Sequence, residues 1–343
     1  MKVLHYAELE DRLERSGIGT SIDQQRKALS KNDNITVKER LGENPGILES
    51  RISNAGFDVV HMNFVGPKSL AIARRVSGDV PLVLHAHMTA EDFGESFRFS
   101  NKLQPLVKRY LEKFYGYADL VLCPSNYTKS RLENHYNINS ELKVITNGVD
   151  TESLEGFQDI RTEYRDKFNL NRTTVFTVGN VFERKGLSTF IKVAKELPEF
   201  DFVWFGPYDT GPQASKIVKE KVRNPPNNVT FTGWVDDKRG AFAAGDIYMF
   251  PSKEENQGIA VLEAMTCEKP AILSDIPVFQ ELYEHNSDCI MCSDTKEYVR
   301  TIEQLDNNQE LVDSLKGNAV ETASEHSLER VSGRLENMYK GLI

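Results

Sequence analysis

The sequence predicts an α/β protein with two doubly wound, Rossmann-like domains that face a central cleft. Short, continuous apolar runs alternate with helical stretches, which is the pattern of parallel strands buried on both faces. The runs fall into two series with a break near residues 147–156. The length of 343 residues agrees with two domains.

The strands of the first series are predicted at Val3–Tyr6, Phe57–Met62, Pro81–His85, Leu120–Cys123 and Leu142–Thr146. Those of the second series are predicted at Thr173–Val178, Phe202–Phe205, Val229–Thr232, Ile247–Phe250 and Ala271–Ser274. Between them lie helical stretches such as Gly186–Glu196, Gln213–Val222 and Gly258–Cys267. We therefore expect an N-terminal domain over 1–150, a C-terminal domain over 151–325 and a final helix over 326–343 that packs towards the N-terminal domain.

Composition and charge exclude several classes of protein. The net charge of −9 argues against nucleic-acid binding driven by phosphate attraction, and it is uneven, at +1 over residues 1–150 and −10 over the remainder. No apolar run approaches the ~18 residues of a membrane span. The N-terminus lacks the pattern of a signal peptide, and four cysteines do not make a disulfide framework, so a reduced, cytoplasmic protein is expected.

The segment Pro251–Glu263 carries the strongest chemical signal. A strand runs into this loop and a helix opens at about Gly258, where free N–H groups and the helix dipole suit a phosphate. Glu255 and Glu263 are eight positions apart, which fits two hydroxyl-binding groups on either side of a diphosphate better than an acid/base pair on one bond. Spacing alone leaves open a capped helix with one solvated glutamate.

A second segment, Val178–Gly186, follows the first strand of the second series. It places Arg184 and Lys185 just before a helix, where two cations can neutralise a leaving diphosphate. Taken alone, the same residues also fit an exposed basic turn.

Together these segments resemble the nucleotide-sugar-dependent glycosyltransferases of the retaining family 4 type, which have the two-domain GT-B fold. Glu255 and Glu263 match the ends of the family motif E-x-F-G-x-x-x-x-E. The motif V-G-R-L-x-x-x-K-G is matched by Val178, Gly179, Lys185 and Gly186. Further matches lie at 147–150, 229–235, 263–265 and 269–270, so the resemblance covers essentially the whole chain.

The resemblance implies a metal-independent, retaining transfer of a hexose from a UDP- or GDP-sugar, without a cofactor. It implies catalytic roles for His87, Arg184, Lys185 and Glu255, of which Glu255 would bind the donor sugar. The donor would also contact a second set: Gly17, Gly19, Asn180, Val235, Gln257, Gly258, Ile259 and Glu263, the last through the ribose. Two of these depart from the family motifs, since Gln257 replaces a phenylalanine and Asn180 replaces an arginine whose charge Arg184 is expected to supply.

His87, Gly17 and Gly19 are assigned by the resemblance. His85-Ala-His87 ends a strand, and a metal site would need a third ligand that the sequence does not suggest, so a satisfied polar residue is the alternative. The family places a sugar-facing histidine at the end of this strand, which we carry over to His87. The loop Arg15–Thr20, expected before a helix, corresponds to the family loop over diphosphate and acceptor.

One stripe of apolar residues has helical spacing, and its members are Leu103, Leu106, Val107, Tyr110, Leu111 and Phe114. Lys102, Lys108, Arg109 and Lys113 accompany it, and residues 97–115 have a net charge of +4. Such a segment is typical of a helix on an anionic membrane surface, and a core-facing helix with solvated lysines is the alternative.

The residues before this stripe, Thr89–Asn101, resemble glycosyltransferases that glucosylate diacylglycerol-type lipids, including the pattern E-D-F-x-x-S-F-x-F-S-N. This resemblance implies a lipid acceptor. It also implies peripheral contact with the inner face of the cell membrane through about 97–115.

Three alternatives to lipid glycosylation remain open at this point. The acceptor could be a soluble sugar or a polyprenyl-linked glycan. An epimerase of the same fold would convert a nucleotide sugar without any acceptor. A non-catalytic module would bind the donor only, although the set of Glu255, Glu263 and Lys185 argues against it.

Overall fold

The two sheets of the protein are all-parallel and six-stranded, which confirms the predicted α/β architecture. The computed structural model describes residues 1–13, 15–38, 56–93, 100–211 and 215–343. The chain divides into two compact units. The first unit comprises Met1–Ala90, Lys102–Gly148 and His326–Ile343, and the second comprises Glu91–Asn101 and Val149–Glu325.

The first unit has the strand order β2-β1-β3-β4-β5-β6. Its strands are β1 Lys2–Tyr6, β2 Thr36–Lys38, β3 Val59–Met62, β4 Leu82–His85, β5 Leu120–Cys123 and β6 Glu141–Val144. The helices between them are α1 Glu10–Leu13, α2 Gly17–Ser30, α3 Pro67–Val76, α4 Ala90–Phe93, α5 Ser100–Tyr115 and α6 Asn126–His135, of which α4 belongs mainly to the second unit.

The second unit has the strand order β12-β11-β10-β7-β8-β9. Its strands are β7 Thr174–Val178, β8 Asp201–Phe205, β9 Val229–Gly233, β10 Ile247–Phe250, β11 Ala271–Ser274 and β12 Ile290–Cys292. Its helices are α7 Arg161–Lys167, α8 Leu187–Glu196, α9 Lys216–Arg223, α10 Arg239–Ala244, α11 Ile259–Thr266, α12 Pro277–Leu282, α13 Thr295–Asn307 and α14 Gln309–Glu325. Short 3-10 turns lie at Glu152–Leu154, Phe157–Ile160 and Glu183–Lys185.

All ten predicted strands are present, and their bounds differ from the predictions by two residues or fewer. The sequence did not indicate β2 and β12, which are three-residue strands at sheet edges where pairing on one side needs no long apolar run. The helix predicted at Gln213–Val222 is observed as α9, and Gln213 itself lies outside the described residues.

The last helix, α15 Leu328–Lys340, belongs to the first unit and lies against α2. Val331, Leu335 and Tyr339 are fully buried in one apolar cluster with strand residues such as Val3. The hydroxyl of Tyr339 also lies 2.7 Å from Nδ1 of His61, which fixes the helix to the middle of the sheet. The helix therefore completes one face of the first unit.

Four histidines form a row through the first unit. The ring of His85 stacks on that of His87 at 4.0 Å and lies 5.8 Å from that of His61, whose ring is 4.9 Å from that of His5. Burial is the main cause that lowers the pKa of each, to about 3 for His5 and His87 and well below the ordinary value for His61 and His85. The folded protein therefore holds these rings neutral.

We expect the first unit to lose stability in mild acid because of these rings. Below the ordinary histidine pKa of 6.5 the unfolded chain takes up protons that His5, His61 and His85 do not take up in the fold. The free energy of unfolding should then fall by about 1.4 kcal/mol per pH unit for each ring. Urea unfolding of His85→Gln from about pH 6 to pH 4.5 should show a slope shallower by that amount.

The control for this measurement is His135→Gln, which changes an exposed histidine at the end of α6. An equal slope for wild type and His85→Gln would show that this ring does not contribute to acid sensitivity.

Candidate active site

The loop after β10 carries the glutamate motif into a helix, as the sequence predicts. It runs from Pro251 to Gly258, and α11 begins at Ile259 with Gly258 as its N-cap. Gly258 has φ +85°, a left-handed conformation that glycine adopts without the strain of a side chain. The N-terminus of α11 thus lies at the carboxyl edge of the sheet, where its first N–H groups can bind an anion.

The turn after β7 lies directly against this loop. A Cβ on Gly186, which has φ +82°, would overlap the carbonyl group of Pro251. A hydrogen bond also joins the segments, because the carbonyl oxygen of Arg184 accepts from the backbone N–H of Lys253 at 2.7 Å. The glycine therefore allows the two loops to meet at backbone distance.

This approach brings together the charged residues that the sequence assigned to catalysis in the second unit. Lys185 forms an ion pair with Oε1 of Glu255, which also accepts a 2.7 Å hydrogen bond from Ser252. Arg184 lies 3.8 Å from the same carboxylate oxygen. Burial alone would raise the pKa of Glu255, but Lys185 and Arg184 outweigh it and hold the pKa below its usual value. Glu255 is therefore an anion.

Glu263 lies in the second turn of α11 and is paired with a residue that the sequence analysis did not single out. Lys238 donates a 2.9 Å hydrogen bond to Oε1 of Glu263, whose side chain is buried. Burial would lower the pKa of Lys238, but the carboxylate of Glu263 outweighs it and raises the pKa above its ordinary value. The second carboxylate oxygen, Oε2, can still accept from a ligand hydroxyl.

Four further residues of the predicted donor set lie on loops or helix ends of the second unit. Asn180 and Val235 are half-buried and follow β7 and β9. Gln257 is buried beside Glu255 in the loop, and Ile259 begins α11. All four therefore lie at the carboxyl edge of the second sheet, where ligands bind in doubly wound proteins.

Gly17, Gly19 and His87 belong to the first unit. The expectation that the two glycines lie in a loop before a helix is wrong, because they lie within the first turn of α2. The hydroxyl oxygen of Ser16 accepts a hydrogen bond from the N–H of Gly19 and caps the helix. His87 follows β4, is partly exposed, and donates through Nε2 to Oδ1 of Asn63 at 3.1 Å. Asn63 Nδ2 in turn lies 2.9 Å from Nε2 of His5.

Two residues at the charged cluster, Asp92 and Asn256, were missed by sequence reasoning. Asp92, in α4, accepts a hydrogen bond from the side-chain amide of Asn256, which neighbours Glu255. Its other carboxylate oxygen lies 4.0 Å from Arg184. The signal available in the sequence was the E-D-F pattern around Asp92, which the resemblance associated with the acceptor.

Two family models and several known proteins match the chain. Residues 36–153 match a family model described as Glycosyltransferase Family 4, and residues 172–308 match one described as Glycosyl transferases group 1. The processive diacylglycerol alpha-glucosyltransferase of Acholeplasma laidlawii is 30% identical over 349 residues, which cover 100% of this chain and 99% of the relative. The alpha-monoglucosyldiacylglycerol synthase of Streptococcus pneumoniae is 25% identical over 66% of this chain and 53% of its own length.

Solved structures show the same fold. HepE of Anabaena in complex with UDP-glucose aligns with a TM-score of 0.81 at 17% identity, covering 99% of this chain and 100% of that one. Sucrose-phosphate synthase from Thermosynechococcus elongatus aligns with a TM-score of 0.82 at 16% identity, covering 100% of this chain and 99% of that one.

We expect Gly186→Ala to destabilise the second unit. The added methyl group would overlap the carbonyl of Pro251 and would require a left-handed alanine, which together cost at least about 1–3 kcal/mol. The matched control is Gly317→Ala in α14, where a methyl group meets open space and helix propensity predicts a gain of up to about 1 kcal/mol. Urea unfolding midpoints measure both, and equal midpoints for wild type and Gly186→Ala would contradict the tight approach of the loops.

Proposed function

The chain belongs to the family 4 glycosyltransferases of the GT-B fold, and from this premise we propose that it transfers a hexose from a nucleoside diphosphate sugar to a hydroxyl of a diacylglycerol-type membrane lipid, with retention of configuration. The observation that supports this function best is the cluster of Arg184, Lys185 and Glu255 beside the N-terminus of α11. Such a site combines cations and free N–H groups for a diphosphate with a carboxylate for sugar hydroxyls.

Each part of the donor has a matching group in the second unit. The N–H groups that begin at Gly258 and Ile259, with Arg184 and Lys185, would bind the diphosphate and stabilise the charge that grows as it leaves. Oε2 of Glu263 would accept from a ribose hydroxyl, since Lys238 already occupies Oε1. Asn180, Val235 and Gln257 would line the remainder of the donor site. UDP is the favoured nucleotide, because HepE is described as a complex with UDP-glucose.

We place His87 and the glycines of α2 on the sugar and acceptor side. The hydrogen bond from His87 Nε2 to Asn63 fixes the orientation of the ring and the tautomer with the lone pair on Nδ1. In the proposed front-face reaction the bond between the anomeric carbon and the diphosphate oxygen breaks. The acceptor oxygen bonds to that carbon from the same face, and its proton passes to the leaving phosphate oxygen. This chemistry requires neither a protein base nor a metal ion.

The lipid acceptor is supported by the relative that spans the whole chain, which is named for diacylglycerol glucosylation. The exposure of apolar side chains on helix α5 also supports a lipid acceptor. Leu111 and Phe114, in the second half of the helix, are buried in the core, whereas Leu103 and Leu106 are 44% and 66% exposed. The predicted stripe is therefore divided between core and surface.

The exposed half of α5 has the composition of a membrane contact. Lys102 lies exposed on the same half, Pro105 is exposed between the two leucines, and Arg109 is exposed in the next turn. Residues 97–99 of the predicted contact lie outside the described residues. No helix in the described part of the chain is long and apolar enough to cross a membrane. We propose a cytoplasmic enzyme that binds the inner face of the cell membrane peripherally.

The direct test is a panel of UDP- and GDP-hexoses incubated with the protein and a membrane lipid extract, followed by mass spectrometry of the lipids. A hexosyl-diacylglycerol product supports the proposal, and proton NMR of its anomeric centre reports retention. Conversion of the donor sugar without an acceptor would favour the epimerase instead. Transfer to soluble sugars but not to lipids would show that the acceptor is a soluble sugar.

Glu263→Ala should weaken UDP binding by roughly ten- to a hundredfold, because a buried charge-assisted hydrogen bond contributes about 1.5–3 kcal/mol. Calorimetric titration with UDP measures the change, and the control is Glu310→Ala, which removes an exposed glutamate from α14. Unchanged UDP affinity in Glu263→Ala would contradict the ribose contact.

Helix α5 should bring the protein to anionic vesicles, and added salt should weaken this binding by screening. Changing Lys102, Lys108, Arg109 and Lys113 to Ser should keep the protein in the supernatant during vesicle co-sedimentation, because each cation near such a surface contributes about 1 kcal/mol. The matched control changes four cations of α9, Lys216, Lys219, Lys221 and Arg223, to Ser. Wild-type protein that ignores anionic vesicles, or a control variant that is equally impaired, would contradict a contact through α5.

A further inference from the structure

Asp92 lies in a motif that the proposed function does not use. The E-D-F sequence at 91–93 was associated with the acceptor by resemblance, yet its aspartate belongs to the second unit and is only 7% exposed. Oδ2 of Asp92 accepts a hydrogen bond from Asn256, and Oδ1 lies 4.0 Å from Nη1 of Arg184. Its carboxylate therefore belongs to the charged cluster at the N-terminus of α11.

With Asp92 included, the described contacts of the cluster join two cations to two carboxylates. Lys185 is paired with Glu255, and Arg184 lies within 4.0 Å of both Glu255 and Asp92. The formal charges of these four residues sum to zero. A nucleoside diphosphate would therefore meet two cations that already lie within 4.0 Å of a carboxylate.

The carboxylate of Glu255 already has a proposed role in this site, which is to bind the sugar. Asp92 has no such assignment. Through its contacts with Asn256 and Arg184 it is connected to the residues that precede and follow Glu255 in the chain. Asn256 is the chain neighbour of Glu255, and Arg184 donates a 3.3 Å hydrogen bond to the carbonyl of Glu254, on the other side of Glu255. One carboxylate thus orients the arginine and the loop that carries the sugar-binding glutamate.

We propose that Asp92 is a positioning residue that limits the affinity of the site for the nucleoside diphosphate, so that the product is released after transfer; this inference rests on the proposed function. The carboxylate holds Arg184 and Asn256 in place and at the same time repels the diphosphate. A site without it would bind the diphosphate more tightly and release it more slowly.

The test is Asp92→Asn, which preserves the size of the side chain and one oxygen that can accept from Asn256 or Arg184. Removing the negative charge that lies 4.0 Å from Arg184 should tighten UDP binding by about tenfold, since a neighbouring charge shifts an ionic equilibrium by at least about that factor. Uridine, which has no phosphate, should bind wild type and variant equally. The KM for the nucleotide sugar should fall, and kcat should not rise.

The matched control is Asp313→Asn, which removes an exposed carboxylate from α14 in the same unit. Calorimetric titrations with UDP, GDP and uridine, together with steady-state kinetics, separate the outcomes. Tighter UDP binding in Asp92→Asn alone supports the inference. Equal or weaker UDP binding overturns it, as does an equal gain for uridine, because a loop disturbed in general would affect both ligands. A wild-type protein that binds neither UDP nor GDP overturns the proposed function and this inference with it.

Discussion

The contact between Gly186 and the carbonyl of Pro251 determines where the charged groups of the second unit can lie. Strands β7 and β10 are neighbours in the sheet, and their following helices, α8 and α11, begin at the same edge. In doubly wound sheets such a pair of strands, from which the chain continues in opposite directions, leaves a crevice for a ligand. Here the crevice is so narrow that the backbone N–H of Lys253 donates to the carbonyl of Arg184 across it, which places Lys185 beside Glu255.

This arrangement carries an electrostatic cost. Lys185 and Glu255 are largely removed from water, and a buried ion pair recovers little of the desolvation free energy that it requires. The cost is reduced because each charge has several partners, such as Ser252 on Glu255. A site that is already organised around its charges does not need to reorganise as charge develops on a leaving group, which is the condition for strong electrostatic stabilisation.

The sequence was informative where one element alone decides the outcome. Within the described ranges, continuous apolar runs predicted every strand except the two short edge strands, and strand order then brought the residues after β7 and β10 to one edge. The contact between Asp92 and Asn256, 164 positions apart, could not be predicted, because nothing in the periodicity of either segment encodes it. The misplaced glycines were avoidable, since a serine such as Ser16 directly before a helical stretch is an N-cap signal.

Helix α5 shows why periodicity alone could not decide whether its apolar stripe faces the core or a membrane. A regular apolar stripe looks the same whether it faces a core or a bilayer, and here Leu111 and Phe114 do the first while Leu103 and Leu106 remain exposed. The buried half fixes the helix rigidly to the sheet. Because a crossover helix runs antiparallel to its strands, the exposed N-terminal half lies towards the carboxyl edge at which His87 follows β4. Under the proposed function, a lipid acceptor held in a membrane against this half would approach the same edge of the sheet, and one helix would then serve both membrane binding and the orientation of the acceptor.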